Sequence, residues 1–234
     1  MALFTISDLH LSLNTNKSME VFGGVWKDYI TKLEKNWNET VAINDTVVIP
    51  GDISWETYLE NATEDFKFLN KLNGNKIISK GNHDYWFLTV NKLYDFFDKN
   101  NISTISMMHN NFYTYEDYAI CGTKGVDITK KPSTEEGIRL ENREAIRLEK
   151  SITDAKSAGF DNILVFMHYP PIIKEGRYNN NLFYCILKEY GIKKCFYGHL
   201  HTRSHHLAYC ENIEGIEFSL VSSDFLNFKP MKIL

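Results

Sequence analysis

Short apolar runs recur along the chain, and each one is followed at once by a polar turn. Runs of this length bounded by turn residues are typical of buried strands. They cover residues 3–6, 46–49, 76–78, 163–167 and 194–197. Segments with helical spacing of apolar positions lie between or beside them, at residues 26–38, 60–72, 90–100, 134–158 and 182–190. Strands that alternate with helices predict βαβ units and a mainly parallel central sheet.

Other segments predict antiparallel pairing. Residues 112–115 and 118–122 are separated by Glu116-Asp117 and predict a hairpin, and residues 206–210 and 216–221 predict antiparallel strands. This mixture favours a second sheet packed on the first, with helices outside. The chain has no internal repeat and no low-complexity linker, so we expect one domain over residues 1–234.

Composition and charge narrow the class of protein. The 234 residues are 43% hydrophobic and 24% charged, and 26 basic against 30 acidic residues give a net charge of −4 without long charged blocks. This balance argues against nucleic acid or an anionic membrane as partner. No apolar run approaches the ~20 residues that span a bilayer. The four cysteines form no Cys-x-x-Cys pair, which predicts buried or half-buried free thiols and a cytoplasmic location.

The polar turns carry residue types that bind metal ions. They read Asp8-Leu-His10, Gly51-Asp52, Gly81-Asn82-His83-Asp84, His168 and Gly198-His199-Leu-His201. Taken singly, each turn also has a purely structural interpretation. Asp52 could stabilise a turn through a side-chain hydrogen bond, and His168 could be a core histidine whose hydrogen bonds are satisfied. The glycines before Asp52, Asn82 and His199 are either ordinary turn residues or allow a close approach of the backbone. Taken together, the turns share the carboxyl edge of a parallel sheet, where loops converge on one crevice.

The donor set indicates which ions would bind. Imidazole, carboxylate and amide oxygen without thiolate suit divalent Mn, Zn, Fe, Co or Ni. Seven candidate ligands are too many for one tetrahedral zinc, but they fit two ions that share a bridging carboxylate.

The order Asp-x-His, Gly-Asp, Gly-Asn-His-Asp, His, Gly-His-x-His resembles the calcineurin-like metallophosphoesterase superfamily, over the stretch from Asp8 to His201. The resemblance implies an α/β fold, a four-layer α/β/β/α sandwich with two mixed central sheets and the metal site at the carboxyl ends of the strands. It implies seven metal ligands and two catalytic residues. One ion would be held by Asp8, His10 and His201, the other by Asn82, His168 and His199, with Asp52 bridging; His83 would act as general acid and Asp84 would orient or charge-support it.

The activity implied by the resemblance is binuclear metal-dependent hydrolysis of a small phosphorylated substrate. A metal-bridging hydroxide would attack phosphorus while His83 assists the leaving group. Residues 53–56 read Ile-Ser-Trp-Glu rather than an Asp-Arg-Gly extension, and Asp84 replaces the usual Glu, which argues against a Ser/Thr protein phosphatase. A phosphodiester is slightly favoured, and a phosphomonoesterase of a small metabolite is the alternative. A non-catalytic interaction scaffold would have lost ligands, and a nuclease would need a basic groove.

Further residues near the ligands bear on substrate choice. Trp55, Tyr85, Trp86 and Tyr169 either form an aromatic wall for the substrate or pack the ligand loops. Arg177, Arg203, His205 and His206 are either phosphate contacts or solvated side chains. The segment Gly122-Thr123-Lys124-Gly125 lacks the full phosphate-loop pattern and predicts a plain turn.

Overall fold

The computed structural model of the protein describes residues 1–15, 19–176 and 178–234, and its strands and helices alternate along the chain. In chain order the elements are β1 (Leu3–Thr5), α1 (Tyr29–Thr40), β2 (Thr46–Pro50), α2 (Thr63–Lys71), β3 (Asn75–Ser79), α3 (Val90–Lys99), β4 (Ile105–Met107), β5 (Tyr113–Tyr115), β6 (Tyr118–Thr123), α4 (Glu135–Ser157), β7 (Asn162–Met167), α5 (Leu182–Glu189), β8 (Lys194–Tyr197), β9 (Asn212–Ile213), β10 (Ile216–Leu220) and β11 (Met231–Lys232). Short 3-10 helices span Met19–Phe22, Gly24–Trp26 and Thr202–Leu207. The chain divides into two compact units, residues 1–107 with 222–234, and residues 108–221.

The first unit contains a mixed sheet with strand order β11-β1-β2-β3-β4. Strands β1 to β4 are parallel, and β11 pairs antiparallel with β1. Helix α1 buries Tyr29, Leu33 and Trp37, which are spaced four apart and therefore share one face. These side chains join a core that includes Val47 of β2 and Phe97 of α3. Because β1, β2 and β3 are parallel neighbours, their carboxyl ends lie side by side.

The second unit contains a mixed sheet with strand order β5-β6-β7-β8-β10-β9. Strands β6, β7, β8 and β10 are parallel, and β5 and β9 are antiparallel edge strands. Helix α4 begins where the Thr134 hydroxyl accepts a hydrogen bond from Gly137 N, and it buries Leu148 and Ile152 in a core of its own. The described residues thus confirm the mixed α/β class, the two mixed sheets with flanking helices and the predicted hairpin.

The predicted strand at residues 206–210 is wrong. Residues Thr202–Leu207 form a 3-10 helix, because His201 N donates to the Ser204 hydroxyl at 2.8 Å and Ser204 N donates to His201 O at 2.8 Å. At the other end of this helix Ala208 N donates to His205 O at 3.0 Å, so residues 206 and 207 are helical where a strand was expected. The strand partner of β10 on that side is β9, and on its other side β10 runs parallel to β8.

Within residues 1–15, 19–176 and 178–234, no helix combines the length and the apolar character that crossing a bilayer requires. The prediction that residues 1–234 form one domain stays a prediction.

Candidate metal centre

The loops after β1 and β2 run side by side and bring three candidate ligands together. Asp8 N donates to Gly51 O at 3.0 Å, and His10 N donates to Asp52 O at 3.0 Å. As a result the His10 Nε2 lies 3.7 Å from Asp52 Oδ2 and 4.0 Å from Asp8 Oδ1. A ligand atom of Asp8 is also within 4.8 Å of one of Asp52. All three side chains are at most 2% exposed.

This arrangement fits a divalent cation. Two carboxylates that are buried this close together repel each other and lose their hydration, so a positive charge between them stabilises the fold. Oxygen and imidazole nitrogen are donors that borderline divalent ions accept. Asp8, His10 and Asp52 therefore supply donor atoms that suit one ion of a two-ion site.

The same three residues have strained backbone conformations. Their φ angles are 59° at Asp8, 45° at His10 and 53° at Asp52, all in the left-handed region that favours glycine. Each such residue costs about 1–3 kcal/mol, and such conformations cluster at functional sites. Asp and His tolerate this region better than most residues. The strain therefore favours a role as metal ligands for these three residues over a role as ordinary turn residues.

The third polar turn of the first unit reaches the same carboxylate. His83 N donates to Asp52 Oδ1 at 2.8 Å, while the side chains of Asn82 and His83 are half-buried. A Cβ atom added to Gly81 would lie 2.1 Å from Asp52 Oδ1 and 2.3 Å from Asp52 N. A glycine is therefore required at position 81 so that the backbone can approach Asp52 closely. This favours the close-approach role over that of an ordinary turn glycine.

Asp84 holds the two ligand loops together. Its Oδ2 accepts hydrogen bonds from Asp52 N at 2.8 Å and Gly81 N at 2.7 Å, and its Oδ1 accepts from Ile53 N at 2.8 Å and Trp86 Nε1 at 2.9 Å. Burial raises the pKa of the Asp84 carboxyl, and the hydrogen bonds from the backbone and Trp86 oppose that shift. The role of Asp84 beside His83 stays a prediction, and these contacts favour positioning of the loops.

Three of the four aromatic residues considered for substrate choice lie in the first unit and have different surroundings. Trp55 stacks on the His10 ring with centroids 4.7 Å apart and lies 4.3 Å from the His83 ring. Trp86 is fully buried, whereas Tyr85 is 62% exposed. Trp55 and Trp86 thus pack the ligand loops, and Tyr85 is open to contact with a substrate.

Asp65 is a positioning residue that the sequence reading missed. It lies on the buried face of α2, where it accepts from Leu13 N at 2.8 Å and from the Ser54 hydroxyl at 2.5 Å. Leu13 follows the loop of His10 and Ser54 follows Asp52, so this carboxyl links both loops to the helix. Burial raises the pKa of Asp65 to about 6. The available signal was an acidic residue at a core-facing helix position, which is rare without partners.

The second unit places the remaining candidate ligands at the ends of β7 and β8. These strands are parallel neighbours, and Gly198 N donates to His168 O at 3.1 Å. The His168 and His199 ring centroids are 5.2 Å apart, and His199 has a φ of 71°. His168 is fully buried, and His201 begins the following 3-10 helix. The predicted position of all five polar turns at the carboxyl ends of strands is confirmed.

The four cysteines and the residues considered for phosphate contact have the following positions. All four cysteines are free thiols as predicted, and Cys121 and Cys195 are buried, but Cys185 and Cys210 are exposed rather than buried or half-buried. Burial raises the pKa of Cys121 to about 12, which disfavours a thiolate ligand. Arg177, which was considered for phosphate contact, lies outside the described residues. The three other residues considered for phosphate contact lie on the 3-10 helix after His201: Arg203 and His206 are exposed and His205 is half-buried.

Comparisons with known proteins place this geometry in context. Residues 1–203 match the family model described as calcineurin-like phosphoesterase. Protein AQ665 of unknown function from Aquifex aeolicus is a similar structure, with 18% identity, a TM-score of 0.51, and coverage of 99% of this chain and 95% of that chain.

Two further solved structures are similar. A phosphopantetheinyl hydrolase from Mycobacterium tuberculosis has 14% identity, a TM-score of 0.56, and coverage of 100% of this chain and 95% of that chain. TT1561 of Thermus thermophilus has 10% identity, a TM-score of 0.53, and coverage of 88% of this chain and 85% of that chain. At these identities the likeness shows the fold alone. No curated protein matches the sequence.

Proposed function

Because the chain belongs to the calcineurin-like phosphoesterase family, we propose that it hydrolyses a phosphodiester in preference to a phosphomonoester. The protein is a metal-dependent phosphohydrolase, and its cofactor is a pair of divalent metal ions. The observation that carries the metal-dependent chemistry is the buried, strained set Asp8, His10 and Asp52 at the strand ends of the first unit.

The proposed ligand sets follow the family pattern. Asp8, His10 and His201 would hold one ion, Asn82, His168 and His199 would hold the other, and Asp52 would bridge them. The short distances from His10 to Asp8 and Asp52, and the pairing of His168 with His199, support this assignment. When bound, two divalent ions neutralise phosphoryl charge and lower the pKa of water.

His83 is the proposed general acid. Its backbone is held by Asp52 Oδ1, and its ring lies 4.3 Å from Trp55 and 6.4 Å from Tyr85 between centroids. A half-buried imidazole that packs beside Trp55 can donate a proton to the departing alkoxide. Loss of such an acid typically lowers the rate by about 10²–10⁴. Asp84 would contribute by fixing the His83 loop.

Preference for a diester rests on the surface beside His83. The exposed Tyr85 ring and the neighbouring exposed Leu88 offer apolar area to a second organic group on the phosphate. A phosphomonoesterase of a small metabolite remains the second candidate, because the same residues would serve a single large leaving group. The complete ligand set and family membership argue against a scaffold.

Nucleic acid is not the proposed partner. Helix α4 does expose Arg139, Arg143 and Lys150, and its Arg147 is half-buried. However, Arg147 pairs with Glu144 at 2.7 Å and Lys150 pairs with Asp154 at 2.6 Å, and Arg143 Nε lies 3.7 Å from Glu144. Two carboxylates offset half of these four cations, and the chain as a whole has a net charge of −4, which argues against a broad basic surface for a phosphate backbone. We also propose a cytoplasmic location, which the four free thiols support.

The test is hydrolysis of bis-(p-nitrophenyl) phosphate beside p-nitrophenyl phosphate with Mn²⁺, and then with Fe²⁺, Zn²⁺, Co²⁺ and Ni²⁺. Wild type should favour the diester, and Asp52→Ala should be inactive because the bridging ligand is lost. Asp95→Ala, an exposed helical change, is the matched control and should retain activity. A preference for the monoester would establish the second candidate. Turnover of neither ester, or normal turnover by Asp52→Ala, would overturn the proposal.

A further inference from the structure

A pocket of about 220 Å³ lies wholly within the second unit, beside the residue that follows His168. We call it the lysine pocket. Its lining includes Lys124, Asp127, Lys130, Pro132, Leu140 and Tyr169. The loop that follows β6 supplies both lysines; Gly122 and Thr123 belong to the strand, so the predicted plain turn begins only at Lys124.

The lysine pocket shares a wall with two proposed metal ligands. The Tyr169 ring centroid is 4.3 Å from that of His199 and 5.3 Å from that of His168. Tyr169 N donates to Lys124 O at 2.9 Å, which ties the loop to the end of β7. A group in this pocket therefore lies one aromatic ring away from the imidazoles that would hold an ion.

Charge and shape together indicate the ligand class. The pocket has two ammonium groups against one carboxylate, and Asp127 Oδ1 already accepts from Thr129 N at 2.8 Å. Lys124 Nζ lies 6.0 Å from the Tyr169 ring centroid. The nearby Gly137 N–H donates to the Thr134 hydroxyl at 3.1 Å and is therefore not available to an anion. Lysine binds phosphate as a point charge, while Pro132, Leu140 and Tyr169 offer apolar area to the carbon skeleton.

We propose that the lysine pocket binds a second phosphate group of the substrate. The substrate class is then a phosphoester whose organic part carries another phosphate within reach of the scissile one. This inference rests on the proposed function, because it takes His168 and His199 as part of the centre that binds the scissile phosphate.

The test compares two substrates that differ by one phosphate: thymidine 5′-(p-nitrophenyl phosphate) with and without a 3′-phosphate. We expect kcat/KM to be roughly five- to tenfold higher for the 3′-phosphorylated substrate. This is the gain expected from two partly exposed, charge-assisted contacts of the 3′-phosphate with Lys124 and Lys130. The double variant Lys124→Gln/Lys130→Gln should bring this ratio close to one. Lys131→Gln is the matched control, because Lys131 is exposed but does not line the pocket, and it should keep the ratio.

A binding measurement separates failure of this inference from failure of the proposed function. Calorimetry on the full chain with Mn²⁺ compares thymidine 3′,5′-bisphosphate with thymidine 5′-monophosphate. Tighter binding of the bisphosphate, lost in the double variant and weakened by salt, supports the pocket even if no ester is hydrolysed. Equal affinity and equal kcat/KM for both members of each pair would overturn the inference, while hydrolysis of bis-(p-nitrophenyl) phosphate would leave the proposed function intact.

Discussion

In an Asp84→Asn variant one carboxylate oxygen becomes an NH₂ group while the size of the side chain is kept. The carboxylate accepts from Asp52 N and Gly81 N on one oxygen, and from Ile53 N and Trp86 Nε1 on the other. Ser54 N also donates to Oδ1, at 3.3 Å, so whichever way the amide turns at least two buried N–H donors lose their acceptor and face an NH₂ group instead. In one orientation the loops that carry Asp52 and Gly81 lose their shared acceptor, and in the other the loss falls on Ile53 N, Ser54 N and Trp86 Nε1.

The size of the effect follows from these contacts. Each buried donor without an acceptor costs about 1–3 kcal/mol, so two cost about 2–6 kcal/mol. Removing the buried charge offsets part of this loss, because burial disfavours the ionised form of Asp84. We expect the unfolding free energy to fall by about 2–4 kcal/mol, a large fraction of the roughly 5–15 kcal/mol typical of folded domains.

The assay is urea unfolding at about pH 7.5 followed by circular dichroism, with Mn²⁺-dependent diester hydrolysis measured in parallel. Asp95→Asn is the matched control, because this exposed residue should change the unfolding free energy by no more than about 0.5 kcal/mol. An Asp84→Asn variant as stable as the control would refute the positioning role. Unchanged stability with a lowered kcat would instead show that Asp84 acts on His83.

The remaining predictions concern Gly81 and two buried titratable groups. Gly81→Ala should weaken Mn²⁺ binding by roughly 10–100-fold, since its Cβ would overlap Asp52; equal affinity in a Mn²⁺ titration would contradict this. Burial raises the pKa of Asp65 from 3.8 to about 6, so its stabilisation is fully present below about pH 4 and is lost as pH rises through 6. The unfolding free energy of wild type relative to Asp65→Asn should therefore grow by about 2 kcal/mol between about pH 7.5 and 4.5, and no growth would refute the shift. Burial lowers the pKa of Lys76 from 10.5 to about 7, so its stabilisation is present above pH 10.5 and is lost as pH falls through 7. Stability relative to Lys76→Met should drop by up to about 4 kcal/mol from about pH 10 to 7, and a flat difference in urea unfolding would contradict it.

Strands, helices and ligand types could be predicted from the sequence because they depend on local pattern. Apolar runs marked the strands, and helix α3 begins at Val90 as its spacing predicted. The motif order identified the family because each ligand type recurs in a fixed sequence of blocks. The 206–210 strand failed because the 3-10 helix that starts after His201 continues to Leu207, with Ala208 N donating to His205 O at 3.0 Å.

The sequence by itself determined the fold class, the family and the residue types that bind metal. Only the tertiary structure decided what the supporting residues do: Asp84 as a clamp between two loops, Asp65 as a link from α2 to both, and Trp55 as a ring stacked on His10. It also placed Lys124 and Lys130 in one pocket beside Tyr169. The physical reason is that these roles depend on contacts between segments distant in the chain, and such contacts leave no periodic signal in the local sequence.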